Sequence, residues 1–285
     1  MFNLISITKS FFGLTPKPLH NVAICCIAKN EDHYFIEWIE HHLQIGVSCF
    51  YIYDNESTIP IANTLSTYVQ KGIVKVQYFP GSKMQMMAHK HCLANFGREC
   101  QWIAFIDVDE FIVPKMQTGN LVEFLNSYKR FGGLGIHWRV FGSNGHLERP
   151  KGSQIESYTK RSLLTEGMNR HIKSIVQPKH VKSVPKDPHH FKYKFGKFCV
   201  NENFQRINGA MAGHTSNKIQ LNHYFARSLE EFRLKVARGR ADSDMRRTIE
   251  EFEMFNAFAN EITDENIIEL KLIISQQSEN SSATT

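Results

Sequence analysis

The chain has 285 residues, 42% hydrophobic and 12% aromatic, enough to bury a large core as one domain or two closely packed halves. Lys and Arg total 34 against 28 Asp and Glu, and the resulting charge of +6 is too diffuse to argue for nucleic acid. The six cysteines form no CxxC pair, which excludes a zinc ribbon and a thioredoxin-type redox site.

Met1 to Phe12 carries Phe2, Leu4, Ile5, Ile7, Phe11 and Phe12 beside Lys9. It reads as a terminus packed on the core, with a short interfacial membrane helix as the alternative. No cleavable signal and no apolar run of spanning length are visible, so a cytoplasmic protein is expected, with peripheral contact at the inner membrane face as an option.

Val22 to Ala28 has the unbroken apolar character of a buried parallel strand. Asn30 is placed to cap a helix whose Phe35, Ile39, His42 and Leu43 share a face, with Gly46 ending it. Cys49 to Tyr53 is the second strand, Ile61 to Val69 the second helix and Ile73 to Phe79 the third strand. A helix over Met84 to Phe96 leads to a fourth strand, Trp102 to Ile106. Such alternation predicts a parallel sheet covered on both faces, whose ligands bind beyond the carboxyl ends of the strands. Lys29, Asn30, Asp54, Asp107 and Asp109 all fall at those ends.

Asp107-Val-Asp109 is followed at once by Glu110. Alternate side chains at a strand end share a side, and clustered carboxylates call for a positive partner. A hard divalent cation, Mn2+ or Mg2+, suits oxygen ligands and leaves positions open for phosphate. Asp54-Asn-Glu-Ser57 is either an Asx turn in which Ser57 caps the next helix, or a loop whose Asp54 accepts hydrogen bonds from a nucleobase or ribose. Gln85 and His89 share a helix face at i, i+4 spacing.

Beyond Pro114 the pattern changes. Asn120 to Glu123 resembles a capping box on a helix that runs toward Gly132, and Leu134 to Val140 is strand-like. Residues 141–213 are rich in Gly, His, Lys and Pro and predict short, irregular strands. Ser228 to Glu231 opens a capped helix, Ile249, Phe252, Phe255 and Phe258 stripe another, and Ser278 to Thr285 has the composition of a disordered tail. Lys173, Arg238 and Arg240 are candidates for stabilising a phosphate leaving group, on charge alone. Glu148, Glu166 and His146 are candidates for a general base. Glu148 ranks first because it follows the Gly-rich stretch Gly142-Ser-Asn-Gly145, which would let a substrate approach the backbone closely.

The ordered set Ala28-Lys-Asn-Glu31, Glu37-Trp-Ile-Glu-His-His42, Tyr53-Asp-Asn-Glu-Ser57 and Asp107-Val-Asp-Glu-Phe111 resembles family-92-type (DUF23-like) glycosyltransferases, relatives of the family-2 enzymes. The resemblance continues through Trp138 to Gly145, Lys173 to Val176 and Asn222-His-Tyr224, covering roughly residues 21–240. It implies an α/β GT-A fold: a Rossmann-like, mostly parallel sheet with helices on both faces and a mixed acceptor-binding half. It also implies metal-assisted transfer from a nucleotide sugar, by analogy a UDP-sugar, with inversion; the expected cytoplasmic, membrane-associated location suggests a glycan or glycolipid acceptor such as lipopolysaccharide. Carried over onto this chain, Asp54 contacts the nucleoside, Asp107 lies nearer the ribose, Asp109 holds the metal and His223 adds to it. Lys29, Gln85, Lys173 and Arg238 complete the expected donor-binding set. Expected boundaries are an N-terminal segment (1–20), a donor half (21–115), an acceptor half (116–225), C-terminal helices (226–277) and the tail (278–285). Rival readings are a non-catalytic module of the same fold and a haloacid-dehalogenase-type phosphatase, which would place its two Asp residues near the start of the domain.

Overall fold

The computed structural model describes residues 17–282, so the Met1 to Phe12 helix considered above lies outside the described residues. Strands β1 (His20–Ala28), β2 (Cys49–Asp54), β3 (Val74–Tyr78) and β4 (Cys100–Phe105) pair in parallel in the order β4-β1-β2-β3. Successive side chains of β1 enter opposite faces. Val22, Ile24 and Cys26 meet Phe35, Trp38 and Ile39 of helix α1 (Phe35–Gln44). Between β2 and β3 run the short helices α2 (Ile61–Thr64) and α3 (Ser66–Gln70). On the other face Ala23, Cys25 and Ile27 meet Ala88 and Cys92 of helix α4 (Gln85–Phe96). Both faces are therefore dry, which is why β1 is apolar without alternation. All six cysteines are buried and free.

The sheet continues into the second half without a break. Strand β5 (Glu110–Pro114) follows β4 after four residues, Ile106 to Asp109, and helix α5 (Leu121–Asn126) leads to β6 (Gly133–Val140). Helix α6 (Gln154–Ser157) and β7 (Lys160–Arg161) precede β8 (Ile172–Val176), which inserts antiparallel between β4 and β6. A two-stranded ribbon of β9 (Val181–Ser183) and β10 (Lys192–Tyr193) follows, then β11 (Cys199–Val200) and β12 (Arg206–Ile207) at the sheet edge. Strand β13 (Ile219–His223) lies between β5, antiparallel, and β6, parallel. Helices α7 (Leu229–Arg238) and α8 (Ile249–Phe258), the short β14 (Ile262–Thr263) and helix α9 (Asn266–Ser282) complete the chain. This is the mostly parallel α/β sheet with a mixed continuation that the GT-A expectation describes.

Several local expectations are corrected. Asn30 does not cap α1: it sits at φ 54°, its side chain accepts from the Thr58 amide at 2.7 Å, and the helix starts only at Phe35. Ser57 does not cap the next helix either, because its hydroxyl accepts from the Asn30 amide at 3.1 Å. Asn120 caps α5 through the Glu123 amide, but the Glu123 carboxylate takes the Thr118 hydroxyl, leaving half a capping box, and α5 stops at Asn126. The box at Ser228 and Glu231 is complete. Residues 278–282, expected to be disordered, continue α9.

Candidate active site

Parallel pairing brings the carboxyl ends of β1, β2 and β4 to one edge, with Ala28 opposite Asp54 and Cys25 opposite Phe105. A cavity of about 430 Å³ opens there, within the range of small-ligand sites. One wall carries Lys29, Asn55, Glu56, Ser82 and Gln85; Asp107 and Asp109 form the floor. Trp138, Lys173, His189 and His223 line a second wall, and Lys235, Arg238, Arg240 and Arg247 a third.

The floor is held from three directions. Glu110, fully buried, reaches back to accept the Asp107 amide at 2.8 Å and the Trp138 indole N–H at 2.6 Å, which fixes the turn between β4 and β5. Burial pushes its carboxyl up to about 8, against the pull of Lys173. Asp107 accepts the Lys173 ammonium at 2.7 Å on one oxygen and the Gln85 amide at 3.0 Å on the other. Asp109 accepts the Lys235 ammonium at 2.6 Å, delivered by α7. Burial works against both partners of this pair: it pulls Lys235 down to about 8, whereas Lys235, His223 and Arg227 together hold Asp109 far below the carboxylate range.

His223 arrives on β13, whose register sets it opposite Glu110. Its Nε2 lies 3.8 Å from Asp109 Oδ1, and burial lowers its imidazole to about 3, keeping it neutral. Among the described residues no three His, Cys, Asp or Glu side chains cluster as a ready metal cage. Asp107, also expected as a ligand, accepts Lys173 on one oxygen and Gln85 on the other, and each oxygen keeps a second lone pair. Asp109 Oδ1 and His223 Nε2 are left facing each other. Two such donors fit a Mg2+ or Mn2+ ion that keeps the rest of its shell for phosphate oxygens and water.

The third wall carries positive charge that the protein does not fully compensate. Arg238 pairs with the buried Glu31 and donates to the Lys29 carbonyl at 2.8 Å. Arg240 pairs with Glu251 at 3.3 Å, while Arg247 forms no ion pair among the described residues and donates to the Gly239 carbonyl at 2.9 Å. The Nε of each of these last two guanidinium groups is buried without a partner. Burial and the neighbouring Arg240 both lower the Arg247 value. Two crowded cations with orphaned donors are stabilised by an anion between them.

Two expected site residues lie elsewhere. Asp54 does not line the cavity: its oxygens accept the Ser57 amide at 2.9 Å and the Ile61 amide at 3.0 Å, so it closes the loop and caps α2. Its neighbours Asn55 and Glu56 face the cavity instead. Glu148 is exposed and outside the lining, on a loop that docks against the start of α7. Gly142 gives no opening to an acceptor, because a Cβ there would lie 2.4 Å from Asn260 Oδ1 at the end of α8. Glu166 and His146 are also absent from the lining, and His146 bonds the Ser157 carbonyl at 3.1 Å. Lys29, Gln85, Lys173, Arg238 and Arg240 do line it. Sequence reasoning passed over Lys235, although it stands three residues before Arg238 and therefore on the same helix face.

The glycosyltransferase family 92 model matches residues 20–276. A family 92 protein of Oryza sativa subsp. japonica is 35% identical over 188 residues, 64% of this chain and 31% of the relative. One of Ricinus communis is 30% identical over 233 residues, 79% of this chain and 39% of the relative. The chain thus spans about a third of the length of these curated relatives. Among solved structures, S. aureus TarS 1–349 in complex with UDP is 17% identical, with TM-score 0.38 over 55% of this chain and 47% of that one. Mannosyltransferase PcManGT from Pyrobaculum calidifontis, in complex with GDP-Man and Mn2+, is 14% identical, with TM-score 0.31 over 47% and 46%. With the family model covering nearly the whole described chain, this protein belongs to glycosyltransferase family 92.

Proposed function

We propose that the cavity binds a nucleotide sugar and transfers its sugar, with inversion, to a carbohydrate hydroxyl of a glycan or glycolipid. The observation that carries this reading is that Arg240 and Arg247, with their orphaned Nε atoms, line the same cavity as Asp107 and Asp109. A diphosphate is the ligand class that satisfies both sides. Its oxygens neutralise the guanidinium groups, and Lys235 is within reach of the same space. The nucleoside then falls on the wall of Lys29, Asn55, Glu56 and Gln85, and the sugar on the wall of Trp138 and Lys173.

Breaking the bond between the anomeric carbon and the phosphate oxygen leaves its electron pair on the diphosphate. Arg238, Arg240, Arg247 and Lys235 stabilise that charge more as it grows than in the bound donor, which is the condition for acceleration. Asp109 and His223 are the residues that would hold a divalent cation, which when bound adds Lewis-acid stabilisation of the leaving diphosphate. Asp107, fixed between Lys173 and Gln85, orients the ribose side of the donor. The extended halves of the sheet divide the work, residues 21–115 for the donor and 116–225 for the acceptor.

The test is a panel of UDP-, GDP- and dTDP-sugars incubated with the purified chain and Mn2+, UDP-galactose and UDP-glucose first, with nucleoside diphosphate release as the readout. Slow hydrolysis of one donor is expected, falling on chelation with EDTA. Release from none of them, with glycan and lipopolysaccharide extracts supplied as acceptors, overturns the reading.

A further inference from the structure

Inverting transfer needs a group that takes the acceptor hydroxyl's proton as the new bond forms. Most carboxylates on the cavity are already committed. Glu31 is paired with Arg227 and Arg238 and held down to about 2, and Asp107 and Asp109 are paired with lysines; Glu56 is exposed on the wall assigned to the nucleoside, with one oxygen 3.4 Å from the Gly81 amide. Among the described residues Asp242 accepts only the neighbouring Ser243 hydroxyl, at 3.5 Å.

His189 is different. It lies between β9 and β10, and three bonds fix it. Its amide donates to Asp187 at 2.8 Å, its carbonyl accepts the Ser174 hydroxyl at 2.8 Å, and its ring Nδ1 lies 2.8 Å from the Ile172 carbonyl. A carbonyl can only accept, so Nδ1 carries the proton and Nε2 of the neutral ring carries a lone pair. No partner for Nε2 is found among the described residues. The ring stands edge-on to Trp138, with centroids 5.2 Å apart, and both side chains line the cavity.

We propose that His189 is the catalytic base for this transfer, a role that rests on the donor-binding reading above. As the acceptor oxygen bonds to the anomeric carbon, its proton passes to His189 Nε2. The carbon–phosphate oxygen bond breaks with its electron pair leaving on the diphosphate, and the imidazolium later returns its proton to water. The charged and titratable groups facing His189 are Lys173 from β8, His171 at the start of that strand, Asp187 on its own loop and His89 on α4. Burial and Lys173 keep the ring neutral, down to about 4, while Asp187 opposes them. That leaves a base about as strong as a carboxylate.

The experiment uses the full chain, the nucleotide sugar that the panel selects, and the variants His189→Asn, His189→Ala and Asp242→Asn. An Asn amide can still donate to the Ile172 carbonyl but has no basic lone pair, so His189→Asn separates positioning from proton transfer. Expected is a fall in kcat of about 100-fold or more in both His189 variants, with affinity for that donor's nucleoside diphosphate by calorimetry close to wild type and partial recovery of His189→Ala by added imidazole. Wild-type kcat in His189→Asn overturns the assignment, and loss in Asp242→Asn alone transfers the role to Asp242. A wild-type chain that turns over no donor overturns the donor-binding reading first, and this one with it.

Discussion

The loops after β2 and β4 both end a buried parallel strand in acids, and they use those acids in opposite ways. Asp54 finds its partners three and seven residues downstream, both of them backbone amides. Asp109 is answered by Lys235, 126 positions away, and Asp107 by Lys173, 66 positions away. The first carboxylate is spent on shaping its own loop. The second pair depends on three elements of the other half (β8, β13 and α7) arriving at the sheet edge. Local partners make a turn, whereas distant charged partners make a site that exists only when the fold is complete.

The largest effect that would break this contrast is on stability. Lys235 is nearly buried, donates to both Asp109 and the Phe225 carbonyl, and sits 4.8 Å from the Phe225 ring. Lys235→Met leaves Asp109 buried without its ammonium, and removing one member of a buried pair costs about 3–5 kcal/mol. Adding Asp109→Asn should recover part of the loss, because the stranded charge is gone. Urea unfolding of the wild type, both single variants and the double variant measures the coupling; a Lys235→Met chain as stable as wild type means that Asp109 does not rely on it.

Acid sharpens the same comparison, since buried imidazoles stand both beside the ionic corner and elsewhere in the core. Burial lowers His223 and His89 to about 3 and His41 to about 4. Unfolded histidines bind protons near pH 6.5, so between there and about pH 4 the unfolded chain holds more protons than the folded one. Stability therefore falls as pH drops through this window, by about 2 kcal/mol at pH 5 for each histidine held fully neutral. Below it Glu31, held to about 2, and Asp109 add their own losses as they protonate from their ordinary values downward. The urea midpoint should be lower at pH 5 than at pH 7. An unchanged midpoint would show that these rings are not kept neutral.

The parallel half was legible because β1, β2 and β4 are apolar without alternation and are separated by helix-period segments, a pattern that tertiary contacts do not override. Asp107 and Asp109 were legible for the same reason: they stand where a buried strand stops. Ser228 and Glu231 spell out a cap within four residues. What escaped depended on long-range contact. Lys235 looks like any basic residue on the polar face of a helix, and only the packing of α7 over the floor buries it. The glycines before Glu148 suggested a ligand approach, but Ser143 and Asn144 bond Asn256 and Asn260, so the stretch is a docking site for α8. His189 sits in a segment with no periodicity, and nothing local shows that Ile172 fixes its tautomer.

The smallest effect concerns the loop that keeps to itself. Asp54→Ala removes two charge-assisted caps, one on the turn at Ser57 and one on the first amide of α2. Loss of a capping acid costs about 1 kcal/mol. The loop has other supports: Asn55 donates to the Phe79 and Gly81 carbonyls at 2.9 and 2.8 Å, and Ser57 and Thr58 are tied to Asn30. The wall of Asn55 and Glu56 should therefore hold its shape, and UDP affinity measured by calorimetry should change by less than about threefold, the equivalent of roughly 0.6 kcal/mol. Asp54→Asn should fall between, since its amide retains one accepting oxygen where the carboxylate had two. If Asp54→Ala instead loses nucleotide binding with its unfolding midpoint intact, the carboxylate reaches the nucleoside after all, and the distinction between a loop-shaping acid and a site-forming one fails at this position.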